Sequence, residues 1–439
     1  MVSTAKSTGI LLAEDKFPVR YGDRTVDCLC RVTFDLTRER SVLIDCAAPV
    51  PDLQFGFLHH GPFFLELSPG SKPAECLRLA IGEQVVTLLP RSGAIVDRGL
   101  PIVRVTAGIV NFNQYWFGGP DKLSFSLQDG TWIFEFTPVG DKTFLYPPEI
   151  QNESYALSHH LLLRKASGAA FSCFEAQQVL ETLSTFLRFC AEHWVAPAMV
   201  VGSDSAGLAA MEDWGSPKVD ALDTPGNWLD RDHGGAMLEI FPEFSRLMGD
   251  SQWRERIRTA VYWYLRADTN HVGPDGAIIL LQAALETLAW HILVRHRRAI
   301  SEEGFLKLPA ADQLRLLLNS CSIPLQSPAL LARLSAAARG KKGQQDWVDG
   351  PQAFVAVRNQ LVHPRRKPRR LEGGPSYYEV LQLGKWYLEL VLLRTFGFNG
   401  LYANRLKIPR YAGDVELVPW VETKKIQPES SVAKQRPGN

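Results

Sequence analysis

The sequence predicts an α+β protein, a β-rich amino-terminal region followed by an all-α helical bundle. Three observations carry this. Short alternating runs broken by turn residues extend from Thr8 to about Tyr146. Helical spacing of apolar residues is almost continuous from Ser251 onward. A 46% hydrophobic content over 439 residues is enough to build packed cores without covalent staples. The division that follows is residues 1–250 as a β-rich regulatory or sensing domain with a helical connector, 251–415 as a helical domain, and 416–439 as a tail.

The runs Thr25–Asp35, Ser41–Asp45, Glu83–Leu89 and Thr131–Thr137 read as strands because apolar and polar residues alternate with the period of a pleated chain. Pro69-Gly70, Gly108, Gly118-Gly119-Pro120 and Asp129-Gly130 punctuate them, and a sandwich or curled sheet is the economical arrangement. From Cys173 to Val195 the spacing becomes helical, with Val179, Leu183, Phe186, Leu187 and Cys190 on one stripe facing the preceding sheet. Ala196 to Asn227 returns to short mixed segments and reads as a connector. Helices are predicted at Trp253–Ala267, Asp275–Arg298, Ala310–Asn319, Ser327–Arg339, Asp349–His363 and Tyr377–Phe396. The polar tail from Thr423 is expected to be disordered.

Forty-eight basic residues against forty-seven acidic ones supply no global case for nucleic acid, membrane or acidic partners, so any RNA-binding charge must be local. The seven cysteines (28, 30, 46, 76, 173, 190 and 321) are odd in number and scattered, which favours reduced thiols. Cys28 and Cys30 share a sheet face without a second ligand pair, so neither a metal site nor a cofactor is expected. The apolar patch Ile10–Ala13 is too brief for a signal-peptide core. Gly276–Val294 is the stretch closest to a membrane span, but it carries Gln282, Glu286 and His291 and reads as a buried helix. A cytoplasmic protein without a membrane contact is the expectation.

Candidate chemistry gathers near Asp349-Gly350-Pro351, where Asp349 can cap a helix and Pro351 suits its first turn. Phe354, Val357 and Leu361 form the apolar stripe of that helix, while Asn359 and His363, four apart, share another face. Pro364 should end the helix at His363, where the helix dipole favours imidazolium. Arg358 adds a guanidinium fork matched to phosphate oxygens, and Asn359 a neutral amide. These three are the catalytic candidates.

The bare spacing Arg-x4-His recurs at Arg188…His193 and Arg266…His271. What distinguishes Arg358 is the adjacent Asn359, the cap, the Pro364 stop, and the basic run Arg365, Arg366, Lys367, Arg369 and Arg370, an extended loop suited to an RNA backbone. Gln282 and Glu286 lie one helical turn apart and are the candidates for orienting Arg358 from behind. His59-His60 and His159-His160 read as structural, since adjacent strand residues point to opposite faces. Gly202–Gly207 lacks the serine and glycine placement of a nucleophile elbow.

The segments IILLQAALETLAWHILV (278–294), VAVRNQLVHP (355–364) and LGKWYLELVLLRTFGFNGLYANRL (383–406) resemble an Apea-like HEPN domain over about residues 251–410. That resemblance implies a dimeric helical bundle that cleaves RNA without metal, through attack of the ribose 2′-hydroxyl on the adjacent phosphate. Arg358 would stabilise charge on the phosphate, His363 would act as general acid or base, and Asn359 would orient one of them. It also implies a setting in bacterial anti-phage defence, with a catalytically silent module binding RNA or a protein partner as the alternative. The amino-terminal region is then expected to regulate or target the nuclease. Trp116 and Phe117 are either a loop displayed to an unknown ligand or protein, or buried anchors of the sheet.

Overall fold

Alternation along the first strands gives each an apolar and a polar face. In the computed structural model, β1 (Ile10–Tyr21), β2 (Arg24–Asp35), β3 (Ser41–Ala47), β4 (Phe63–Leu65), β5 (Ala74–Ile81) and β6 (Val85–Ser92) form a closed antiparallel barrel in the order β1-β2-β3-β6-β5-β4. The structure describes residues 10–35, 41–47, 62–66, 73–81, 85–92, 95–118, 123–139, 155–215, 217–221, 226–267, 269–337, 347–362 and 377–421. Pro69-Gly70, His59-His60, His363, the basic run 365–370 and the tail from Thr423 lie outside these residues. Every second residue of β2, from Cys28 through Cys30 and Val32 to Phe34, points into the barrel and is buried, as are Val42, Ile44 and Cys46 of β3. The hairpin joining β1 to β2 pairs Tyr21 with Arg24, so only Gly22 and Asp23 make the turn. Gly22 there has φ 55°, a backbone conformation that costs glycine nothing.

All seven cysteines are free and buried. Cys30 and Cys46 face each other across the β2–β3 ladder with their sulfurs 3.3 Å apart. Burial, then the neighbouring Cys30 and Glu75, pushes the Cys76 thiol up to about 12, and the bond to Cys30 together with burial raises Cys46 as well. An alkylating reagent near neutral pH is therefore expected to label these thiols slowly in the folded protein and all seven after denaturation. Rapid labelling under native conditions, read by intact mass, would contradict the buried arrangement.

The rest of the amino-terminal half builds a second sheet rather than a connector. Strands β7 (Ile95–Asp97), β8 (Arg104–Val110), β9 (Phe125–Gln128), β10 (Trp132–Pro138), β11 (Leu157–Lys165), β12 (Pro197–Ser203) and β13 (Ala209–Asp213) lie in the order β7-β13-β12-β8-β11-β10-β9. Ala196–Asn227 thus supplies two strands. Its short apolar segments hid them because β12 carries irregular register against both neighbours. Helix α1 (Cys173–Ala191) starts with a capping box between Ser172 and Glu175 and buries Leu183, Phe186, Leu187 and Cys190 in the core shared with this sheet. His159 on β11 is buried among Phe112, Phe125 and Phe136, and burial, helped by His160, lowers it to about 3. It is a neutral core ring, whereas His160 points outward.

Helix α2 (Gly235–Gly249) runs into α3 (Ser251–Arg266) through Asp250, whose carboxylate accepts from the backbone of Gln252 and Trp253. Then follow α4 (Thr269–Trp290), continued by a π-helical turn His291–His296, α5 (Glu302–Leu306), α6 (Ala310–Ser320), α7 (Ala332–Ala337), α8 (Gly350–Val362) and α9 (Tyr377–Thr395). The molecule is accordingly α+β, a β-rich first part followed by helices. One core runs without interruption across residue 250: Phe186 of α1 meets Phe241 and Phe244 of α2, and Phe189 meets Tyr264 of α3 and Phe396. Among the described residues one helix, Val272–His296, is long and apolar enough to cross a membrane, and 67% of its apolar window is buried inside the fold. It packs against α3, α6, α8 and α9, as a core helix of a globular protein does.

Trp116 and Phe117 divide the two readings between them. Phe117 stacks on Phe125 with ring centroids 4.3 Å apart. Trp116 is 40% exposed, with its backbone tied to Arg231 and Gly234.

Candidate functional site

Helix α8 forms as its sequence predicts. Asp349 accepts from the backbone N–H of Gln352 at 2.9 Å, and Pro351 is buried in the first turn where its missing N–H is harmless. Asp349 also receives Arg315 of α6 at 3.0 Å, which ties the start of α8 to its neighbour. Phe354 and Val357 are fully buried, and Leu361 packs on the same core. The stripe therefore orients the helix so that Arg358 is half-buried and Asn359 exposed.

Arg358 donates from Nη1 to Oδ1 of Asn359 at 3.1 Å. Its Nε is buried without a hydrogen-bond partner, and among the described residues Arg358 forms no ion pair. A half-buried guanidinium with unused donors and no carboxylate is a poor structural residue and a good anion receptor. His363 and the basic run fall outside the described residues, so the structure brings together two of the three catalytic candidates.

Gln282 and Glu286 meet as their spacing predicts, with Gln282 Nε2 donating to Glu286 Oε1 at 2.6 Å. Gln282 is buried, and among the described residues its Oε1 has no partner. The pair lies on α4, which packs against α8, but among the described residues Glu286 makes no ion pair to Arg358.

Sequence reasoning missed a charged cluster buried where α1 meets the helical region. Arg405 is buried and donates to both oxygens of Glu389 at 2.9 and 2.7 Å, to Glu192 at 2.8 Å and to Gln382 at 3.1 Å. Lys385 adds a second cation on Glu192 at 2.7 Å, and the Tyr264 hydroxyl donates to Glu389. Burial alone would raise the Glu192 carboxyl, but Arg405 and Lys385 hold it down to about 2. Burial wins at Glu389, whose pKa is raised against the opposing pull of Arg405. The available signal was Glu389 itself, an acid inside the apolar run Leu388–Leu393, which requires a partner. Satisfied on all sides, the cluster is a structural fastener.

Comparison with known proteins corrects the resemblance drawn from the helical segments. Residues 98–225 match the family model of the YopA central domain and residues 250–417 that of the YopA C-terminal domain. No HEPN family is found. The segments that carried the resemblance are core helices: Leu281, Leu285, Leu288 and Ile292 of α4 and the π turn are buried, as are the apolar residues between Leu383 and Leu393 of α9, which packs against α4. Their apolar pattern answers to packing and is common to helical bundles, and Arg-x4-His is too short to discriminate. The chain is 26% identical over 382 residues to the SPbeta prophage-derived uncharacterized protein YopA of Bacillus subtilis (strain 168), covering 83% of this chain and 80% of the relative. No solved structure matches. The first matched segment starts at residue 98, just past the barrel, and the second ends at residue 417, in the short strand Glu416–Leu417. Over its central and carboxy-terminal parts, this chain is similar to YopA.

Proposed function

We propose that this chain binds RNA, engaging a phosphate of the strand at Arg358 and Asn359 on α8. The observation that carries this reading is the half-buried Arg358 guanidinium, which among the described residues has a buried donor without a partner and no carboxylate at ion-pair distance. The basic run Arg365, Arg366, Lys367, Arg369 and Arg370 follows in sequence and supplies charge for the adjoining backbone. A second reading is cleavage at the same phosphate. It is favoured by His363, four positions after Asn359 in the sequence, whose imidazole can donate or accept a proton near neutral pH. Those residues can carry 2′-hydroxyl attack by proton transfer and charge stabilisation alone, so EDTA should leave the reaction intact.

The setting proposed is the cytoplasm, where seven free thiols stay reduced. The prophage origin of the relative supports a phage-linked role such as antiviral defence. A homodimer is the assembly proposed with it. The apolar stretches of α4 and α9 are buried within one chain, so that contact must use other surfaces.

The test is a filter-binding titration of the full chain with single-stranded RNA, beside end-group analysis of total RNA incubated in EDTA. Arg358→Ala is expected to weaken RNA binding about tenfold, the loss of one charge-assisted contact. Unchanged affinity in that variant, with an unchanged circular dichroism spectrum, would remove the site. His363→Ala should keep binding and lose any cleavage that leaves a 2′,3′-cyclic phosphate.

A further inference from the structure

The side chains that define a second polar site come from α1, α3 and the loop segments beside β12 and β13, far along the chain from Arg358. Between α1 and α3 lies an open cleft of about 650 Å³, lined among others by Arg188, Trp194, Arg254, Arg258 and Tyr262. That volume is in the range of small-molecule sites. Glu181 and Glu255 also line it, and at one end the lining rings of Trp194 and Tyr262 are flanked by cations, of which Lys218 and Arg266 stand beside the lining. The Arg188 guanidinium lies 5.0 Å from the Trp194 ring centroid and the Lys218 ammonium 4.1 Å. The Tyr262 ring stands edge-on to Trp194 at 5.9 Å, with the Arg266 guanidinium 5.8 Å from its own centroid.

The charges do not balance. Arg258 is paired with Glu181 at 2.6 Å, and Arg254 is bonded to the carbonyls of Met248 and Gly249. Arg188 donates from Nε to the Val195 carbonyl at 3.0 Å, but among the described residues neither it, Lys218 nor Arg266 has a carboxylate within ion-pair distance. Burial and then Arg266 lower the Lys218 pKa, and burial and Arg258 do the same for Arg188 against Glu181. Burial is the larger cause in both, and at Lys218 Asp220 and Tyr262 oppose it. The chain as a whole carries a net charge of only +1, so the concentration is local. Tyr262, 44% exposed, offers a ring to a planar group entering the same cleft.

We propose that the Trp194–Tyr262 end of this cleft binds a nucleotide, its phosphates held by Arg188 of the lining with Lys218 and Arg266 beside it, and its base resting on Tyr262. The site is independent of the RNA reading above and shares no residue with it.

The experiment is calorimetric titration of the full chain with ATP, GTP and sodium tripolyphosphate. Saturable binding of at least one nucleotide is expected, weakened about tenfold in Lys218→Gln and in Arg188→Gln, the loss of one charged contact. Lys218 is exposed, so its variant keeps the test valid if Arg188→Gln fails to fold. Tyr262→Ala should weaken the nucleotide and leave tripolyphosphate unchanged, while Arg358→Ala should leave both unchanged. The inference is overturned if neither nucleotide binds saturably, or if folded Lys218→Gln binds as tightly as the parent. It is equally overturned if tripolyphosphate matches the nucleotides and Tyr262→Ala has no effect, which would mark an inorganic anion site.

Discussion

Arg405→Met is expected to lower the unfolding free energy by about 3–5 kcal/mol, the scale on which removing one partner of a buried ion pair leaves the other charge uncompensated. The side chain is buried and its three nitrogens reach Glu389, Gln382 and Glu192, so methionine fills volume but answers none of these acceptors. Glu192 retains Lys385, whereas among the described residues Glu389 retains only the Tyr264 hydroxyl. The deficit should consequently depend on pH in a definite direction. In the parent, Glu192 sits at about 2, so its contribution is fully present above the unfolded carboxylate pKa and is lost as pH falls from there through about 2. Glu389 has the opposite sign: its raised pKa makes the folded state hold a proton more readily than the unfolded chain. Without Arg405 that rise grows, the folded variant takes up a proton at Glu389, and its deficit against the parent shrinks as pH is lowered from 8 to 5. Urea unfolding of both chains at the two pH values measures this. A deficit identical at each pH would mean that lost packing, and not stranded charge, sets the cost.

Gly384→Val is the second large effect, expected at about 1–3 kcal/mol from overpacking. Helix α9 crosses α4 and α8 at Gly384. A Cβ there would stand 2.9 Å from Cζ of Phe354 and 3.2 Å from Cδ1 of Leu281, with Cε2 of Phe354 closer still. Both neighbours are fully buried, so neither ring nor methyl can swing into solvent. The need for glycine is one of close approach between helices rather than of backbone conformation. Phe354→Leu in the same chain should therefore recover part of the loss, and the double variant should be more stable than the sum of the two single costs predicts. Strict additivity in thermal or urea unfolding would show that Gly384 and Phe354 do not share this contact.

Much of the helical half was legible because its determinants are local. Asp349, Pro351 and the stripe Phe354, Val357 and Leu361 specify where α8 starts and which side faces inward, and Gln282 finds Glu286 because four residues make one turn. The same locality misled the family assignment. Apolar helices of α4 and α9 satisfy packing rules that many folds share, and they resembled a HEPN domain where the wider comparison finds YopA. The apolar length that argued for a dimer on sequence is buried within one chain by α4 and α9 packing together.

By itself the sequence determined the α+β class, the period of each long element, the cap of α8 and the reach of Arg358 to its neighbour Asn359, all set within a few residues by backbone geometry and side-chain spacing. Tertiary structure alone decided that the first strands close into a barrel and that Ala196–Asn227 joins the second sheet, because pairing partners there are chosen by long-range register. It alone decided that Glu192 and Arg405, 213 positions apart, share a buried cluster. It likewise gathered Arg188, Lys218 and Arg266 around Trp194 and Tyr262. Charges meet in such places only after a core has excluded water between distant segments, and no spacing along the chain encodes that meeting.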